Sequence, residues 1–241
     1  MTNIPMSKHT NFILTPIAEI LNEFVSANKG IGSGIETYAL SEYTLQSVFL
    51  KLTGAQEQKM KCICWELATE DYDYRYDRYT KKRLGECSSY DEKNTVYKDL
   101  LAAVRKLQPN YDINVDFNHA MISQNIIADI TNLFAGSNLA TWSEQAYLEF
   151  TQNAQILPPD QFALGTLFQS VLQARYELLY QHRNRCAHNT LSYAENLPTF
   201  KALYEVQHKY DTYFVRFALL ILIDTIVVKL FQKYQTLLVE N

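Results

Sequence analysis

The stretch YQHRNRCAHNT, residues 180–190, gathers His182, Arg183, Asn184, Arg185 and His188 into about two turns of any helix it could form. A guanidinium offers a rigid fork of N–H donors that matches the nonbridging oxygens of a phosphodiester. An imidazole that titrates near its ordinary value of about 6.5 can take a proton from a ribose 2′-hydroxyl or return one to a leaving oxygen. Converging on one phosphate, these groups would cut RNA with no metal ion or other cofactor, leaving a 2′,3′-cyclic phosphate and a 5′-hydroxyl. DNA, which lacks the internal nucleophile, would resist. If the helix continues, Asn184 and His188 share a face as an i,i+4 pair, while Arg183 stands about 140° from His188 and has to reach round. Arg185, His182, Arg175 and Tyr180 lie on the same segment as candidate contacts to the substrate. A plainer account exists: cations at a helix C-terminus complement its dipole, typically by about 0.3–1 kcal/mol. That explains the charge but gives no reason for an asparagine one turn before an imidazole.

RNRCAH, Arg183 to His188, resembles the R-x4-6-H motif of the HEPN superfamily. These are all-α proteins that include many metal-independent ribonucleases of toxin–antitoxin, phage-defence and CRISPR systems. The polar residue after the family's arginine is commonly asparagine, matched here by Asn184. The resemblance implies that Arg183 and His188 are catalytic, with Asn184 supporting them. It also implies that two copies of the motif form one composite site across a homodimer, with RNA as the substrate and an antitoxin or other defence protein as a partner. One branch of the family has R-x4-H-x-Y, with the tyrosine modified by a partner enzyme. This chain has Thr190 in that place and Tyr193 three residues on. The motif covers six of the 241 residues, and only the all-helical class extends the likeness further.

The elements around the motif have to hold it rigidly. A chain of 241 residues, 47% hydrophobic and 20% charged, has enough apolar material for a large core, and seven glycines and six prolines leave few turns. Long helices follow. A net charge of −4 argues against nonspecific coating of nucleic acid, which rests on many cation–phosphate contacts, though it allows a small basic site. Cys62, Cys64, Cys87 and Cys186 are scattered in a sequence without a signal peptide, so reduced thiols in a cytoplasmic protein are expected. Cys62 and Cys64 point about 200° apart on a helix, so no metal site is expected from them. Residues 214–231 are strongly apolar, but Arg216, Asp224 and Lys229 interrupt them, which suits a buried or dimer-interface helix better than a membrane span.

Periodicity predicts helices over 12–27, 36–69, 94–108, 116–135, 139–154, 160–186 and 198–239, with no strand pattern. The expected fold is therefore an all-α multi-helix bundle, one domain over 1–241; the resemblance implies that residues 1–93 add N-terminal helices to a HEPN-like core over 94–241. Leu45, Val48, Phe49, Leu52, Met60, Ile63, Cys64 and Leu67 form the apolar stripe of the second helix. GIGSG, 30–34, has neither the preceding strand nor the lysine of a phosphate loop and reads as a hinge. EQK, 57–59, reads as surface charge. Residues 70–93 interleave tyrosines with cations, as a base-stacking surface would, but Asp71, Asp73 and Asp77 offset the charge. A solvated connection or an irregular extension of the helix, its tyrosines covering a neighbour, is the preferred reading. Two other classes of function fit the same residues. One is a noncatalytic helical module binding RNA, a nucleotide or a protein; the other is an assembly protein dimerising through its last helix.

Overall fold

A computed structural model describes residues 8–32, 34–153, 155–188 and 209–240, leaving the side chain of His188 outside the description. Its helices are α1 (Lys8–Leu14), α2 (Ala18–Asn28), α3 (Tyr38–Glu70), α4 (Tyr72–Tyr76), α5 (Tyr90–Leu107), α6 (Ile113–Asp116), α7 (His119–Phe134), α8 (Asn138–Trp142), α9 (Glu144–Gln152), α10 (Ser170–His188) and α11 (Tyr213–Glu240). Among the described residues there is no strand, only one antiparallel bridge between Phe162 and Phe168. The all-α class expected from periodicity holds.

The core is built around α11, which is apolar on every side. A helix of that kind is stable in water only when others surround it. Here α1, α3, α5, α7, α9 and α10 do so. Phe214, Phe217, Leu220, Ile223, Val227, Leu230 and Phe231 are at most 1% exposed. Of the two readings of this segment, a buried helix or a dimer-interface helix, the buried one describes most of α11. No helix among the described residues is long and apolar enough to cross a membrane. Every residue of the stripe predicted for α3 is buried, from Leu45 to Leu67. Side chains from Ile13 to Leu237 contribute to one continuous core, in which α3 packs along α11.

Several boundaries differ from the periodicity, each for a local reason. The segment 12–27 breaks into α1 and α2 at Thr15 to Ile17, where Pro16 removes a backbone donor. Helix α5 starts at Tyr90, because Ser89 and Glu92 form a capping box: Glu92 N–H donates to Ser89 Oγ (3.4 Å) and Ser89 N–H to the Glu92 carboxylate (3.2 Å). The helix expected over 116–135 is divided into α6 and α7 by Asn118, which caps Met121 N–H at 3.0 Å. The helix over 139–154 is broken at Ser143.

The largest departure lies in 160–186. Helix α10 begins only at Ser170. Residues 162–169 instead form a closed loop, with Ala163 N–H donating to Leu167 O at 2.9 Å and Gln169 N–H to Gln161 O at 2.7 Å. Helix α5 satisfies what remains. Asn94 Oδ1 accepts from Leu167 N–H at 2.9 Å, and the Tyr90 hydroxyl donates to Phe168 O at 2.7 Å. Periodicity cannot see this, since Phe162, Leu167 and Phe168 are as buried here as they would be on a helix face. Of the helix expected over 198–239, the described part is α11, and the Pro198 start signal lies outside the described residues.

Candidate functional site

Helix α10 is anchored by Leu172, Tyr176 and Leu179, which are at most 2% exposed and recur at helical spacing. The Tyr176 hydroxyl donates to Ser88 O at 2.7 Å, fixing the helix to the turn that precedes α5. Arg175, expected among the substrate contacts, is 7% exposed and donates from Nη1 to the carbonyls of Gln155 (2.8 Å) and Ile156 (2.6 Å). The Tyr210 ring covers its guanidinium at 3.8 Å. It pins α10 to the 155–156 turn and does not stand with Arg183, a correction that follows from its two carbonyl partners. Tyr180 is half-buried against the core.

One turn further on the helix becomes open. The Arg183 side chain is 21% exposed, and its Nη2 lies 3.0 Å from Oε1 of Glu57 on α3. Its Nη1 donates to Asn184 Oδ1 at 3.2 Å, so the guanidinium leans towards the asparagine instead of away from it. Helix α10 runs through His188, which puts residues 184 and 188 one turn apart on the same helical face. The rest of the expected constellation, the direction of the His188 side chain, is not among the described features, and Thr190 and Tyr193 also lie outside the described residues.

Beneath this end lies Lys93 of α5, 1% exposed, donating to Cys87 O at 2.7 Å. Burial pushes its ammonium down to about 8, against the opposing pull of Glu57. Glu57 is therefore a carboxylate between two cations, one sealed and one reachable. Arg183 is oriented before any ligand arrives.

His182 has a different setting. Its ring packs on Phe49 at 5.3 Å, and its Nε2 lies 3.2 Å from the Tyr213 hydroxyl and 3.4 Å from Cys186 Sγ. Burial, followed by the charges of Arg216 and Arg185, pushes its pKa down to about 3. A neutral imidazole that cannot be protonated near pH 7 supplies no cation to a phosphate. The same burial that removes its charge fixes the ring, so the contacts of His182, expected as a substrate contact, are those of packing against Phe49 and Tyr213. Arg185 is half-exposed and makes no ion pair with a described residue.

Residues 70–93 are an irregular continuation of α3. Asp71 caps α4 by accepting from Tyr74 N–H at 3.0 Å, a π turn follows over Asp77–Lys81, and the chain then runs without regular structure to Ser89. Tyr74 covers its neighbour as expected, donating to Asp99 of α5 at 3.1 Å, and Arg78 joins the same carboxylate at 2.7 Å. Cys62, Cys64 and Cys87 are free and buried, and burial pushes the last two up to about 12 and about 11. Such thiols are protonated packing groups. No cluster of three or more His, Cys, Asp or Glu able to hold a metal occurs among the described residues.

Two groups were missed by the sequence reading, and both lie in EQK. Glu57 is the partner of Arg183, and Lys59, 1% exposed, is bonded to Asp224 of α11 at 2.6 Å. A signal for the second existed. Lys59 follows Gln56 and precedes Ile63 at core spacing, and Asp224 interrupts the apolar run of α11, so two charges on facing stripes had only each other. For Glu57 no local signal exists, since its partner is 126 residues away. Compared with protein-family models, curated proteins and solved structures, the chain finds no match in any of the three.

Proposed function

We propose that the chain is a metal-independent endoribonuclease of HEPN type, acting as a homodimer in a toxin–antitoxin or phage-defence setting. The observation that carries this reading is the paired Arg183 and Asn184 at the open end of α10, one turn before His188 on the same helix. Arg183 grips the nonbridging oxygens with the donors that Glu57 and Asn184 leave, and holds the phosphate in line. His188 takes the proton of the ribose 2′-hydroxyl, whose oxygen forms a bond to phosphorus as the bond to the 5′-oxygen breaks. A second imidazole, from the other copy of the motif, protonates that leaving oxygen. Arg185 extends the cationic surface along the strand.

The test is cleavage of single-stranded RNA in the presence of EDTA, with the 2′,3′-cyclic phosphate identified on the product. His188→Ala is expected to abolish cleavage and leave the helical signal unchanged. Cleavage that survives in His188→Ala removes the mechanism.

The ion pair of Glu57 with Arg183 favours a second reading, because the carboxylate offsets charge that a developing phosphorane would need while leaving donors enough to hold a phosphate in its ground state. In that reading the chain is a noncatalytic helical module that binds RNA through Arg183 and Arg185. Recovery of bound RNA intact after long incubation with the wild-type protein decides for it.

A further inference from the structure

At the edge of the core, a cleft of about 520 Å³ opens between α3 and the segment 78–87. Its volume falls within the roughly 300–1,000 Å³ of small-molecule sites. In a chain of net charge −4, the wall carries Lys61, Arg78 and Arg83, and none of the described residues that line it is acidic. Arg78 is committed to Asp99, and Lys61 to Glu86, whose side chain is 77% exposed and so sits at the rim. Arg83 is different. Its Nε donates to Tyr79 O at 3.1 Å, and no described residue pairs with its outer nitrogens.

Aromatic rings stand beside these cations. Trp65 is 56% exposed and lines the cleft beside His9, the two rings standing perpendicular with centroids 6.2 Å apart. Tyr79, 43% exposed, stands on the opposite element. Between them the floor is apolar, made by Leu84 and the protonated thiols of Cys62, Cys64 and Cys87. An exposed indole is normally an unfavourable surface, and a wall that combines aromatic rings, a cation with free donors and apolar side chains suits a flat apolar body with an anionic end.

We infer that this cleft binds a free mononucleotide, its base stacked on Trp65 and its phosphate held by Arg83. Stacking on an aromatic face is tolerant of base identity, and the guanidinium fork supplies the directional contact. Arg183 does not line the cleft, so the inference stands apart from the ribonuclease reading.

Trp65 reports on the site directly. The chain has two tryptophans, and Trp142→Phe leaves Trp65 as the sole emitter. Titrating AMP into that variant is expected to change its fluorescence saturably, with inorganic phosphate competing and adenosine binding about tenfold or more weakly. Arg83→Ala, at an exposed position, is expected to weaken AMP by about tenfold or more, and equilibrium dialysis with labelled AMP checks binding where the ring is silent. His188→Ala is expected to bind AMP as wild type does, which separates this site from the proposed catalytic one. Absence of saturable AMP binding by both methods overturns the inference, as does equal affinity for AMP and adenosine or an unaffected Arg83→Ala. Short single-stranded RNA that competes more tightly than AMP also overturns it, by making the cleft part of a strand-binding groove.

Discussion

Glu57 and Lys59 are two residues apart on one helix, and each carries one half of an ion pair with a distant helix, yet the two pairs are unlike in nearly every respect. Lys59 and Asp224 are 1% and 3% exposed, whereas Arg183 and Glu57 are 21% and 13% exposed. Side chains two apart on a helix point about 200° from each other, so one face of α3 looks into the core and the other towards the open end of α10. The sealed pair is fully wired. Lys59 also donates to Thr15 O at 2.7 Å, and Asp224 accepts from Ile17 N–H at 3.0 Å, so it joins the α1–α2 corner to α3 and α11. The open pair leaves donors of Arg183 for something else. A sealed pair holds helices in register, and an open one holds a side chain in readiness.

Breaking the sealed pair is expected to have the largest effect on stability. Asp224→Ala strands an ammonium in the core, and the expected loss is about 3–5 kcal/mol in denaturant unfolding. Replacing both partners together, as Lys59→Met with Asp224→Leu, is expected to recover most of that loss, because no charge is then left buried. Breaking the open pair sharpens the contrast. Arg183→Ala is expected to cost at most about 1 kcal/mol of stability, since the pair faces solvent. If the proposed chemistry is right, the same variant lowers RNA cleavage by about 100-fold to 1,000-fold, the usual loss for one donor to a developing charge.

A smaller effect concerns pH. His182 stays neutral in the folded chain down to about 3, whereas the unfolded chain takes up a proton near 6.5. Between those values the unfolded state binds more protons. The contribution of His182 is thus fully present above pH 6.5 and is lost as pH falls, by up to about 1.4 kcal/mol per unit. His182→Gln is expected to flatten that part of the stability profile, read as the denaturant midpoint at pH 7 and pH 5. The smallest effect is expected for Glu57→Gln, which frees Arg183 of its carboxylate. Stability should move by less than about 1 kcal/mol, and phosphate should bind more tightly.

Much of the bundle was legible in the residues. The stripe of α3 and the buried character of α11 follow from side-chain period and from apolarity on all sides, which are local properties of the chain. The loop at 162–169 was not legible, because its backbone groups find their partners on Asn94 and Tyr90, more than seventy residues earlier. The same holds for the site. Arg183, Asn184 and His188 stood out by type and spacing, but Arg175 and His182 share that segment and were grouped with them. Only burial separates them: Arg175 is turned to two carbonyls, and His182 to an aromatic wall.

By itself, the order of residues determined that this chain is helical, that α11 must be enclosed, and which short segment concentrates guanidinium and imidazole side chains. Periodicity and side-chain type are properties of neighbours, and neighbours suffice to set them. Tertiary structure alone decided which of two charges in EQK would be sealed and which left open, and that a carboxylate would meet Arg183. Charge pairing and desolvation depend on what comes near in space, and residues 57 and 183 come near only when α3 and α10 pack against the same central helix.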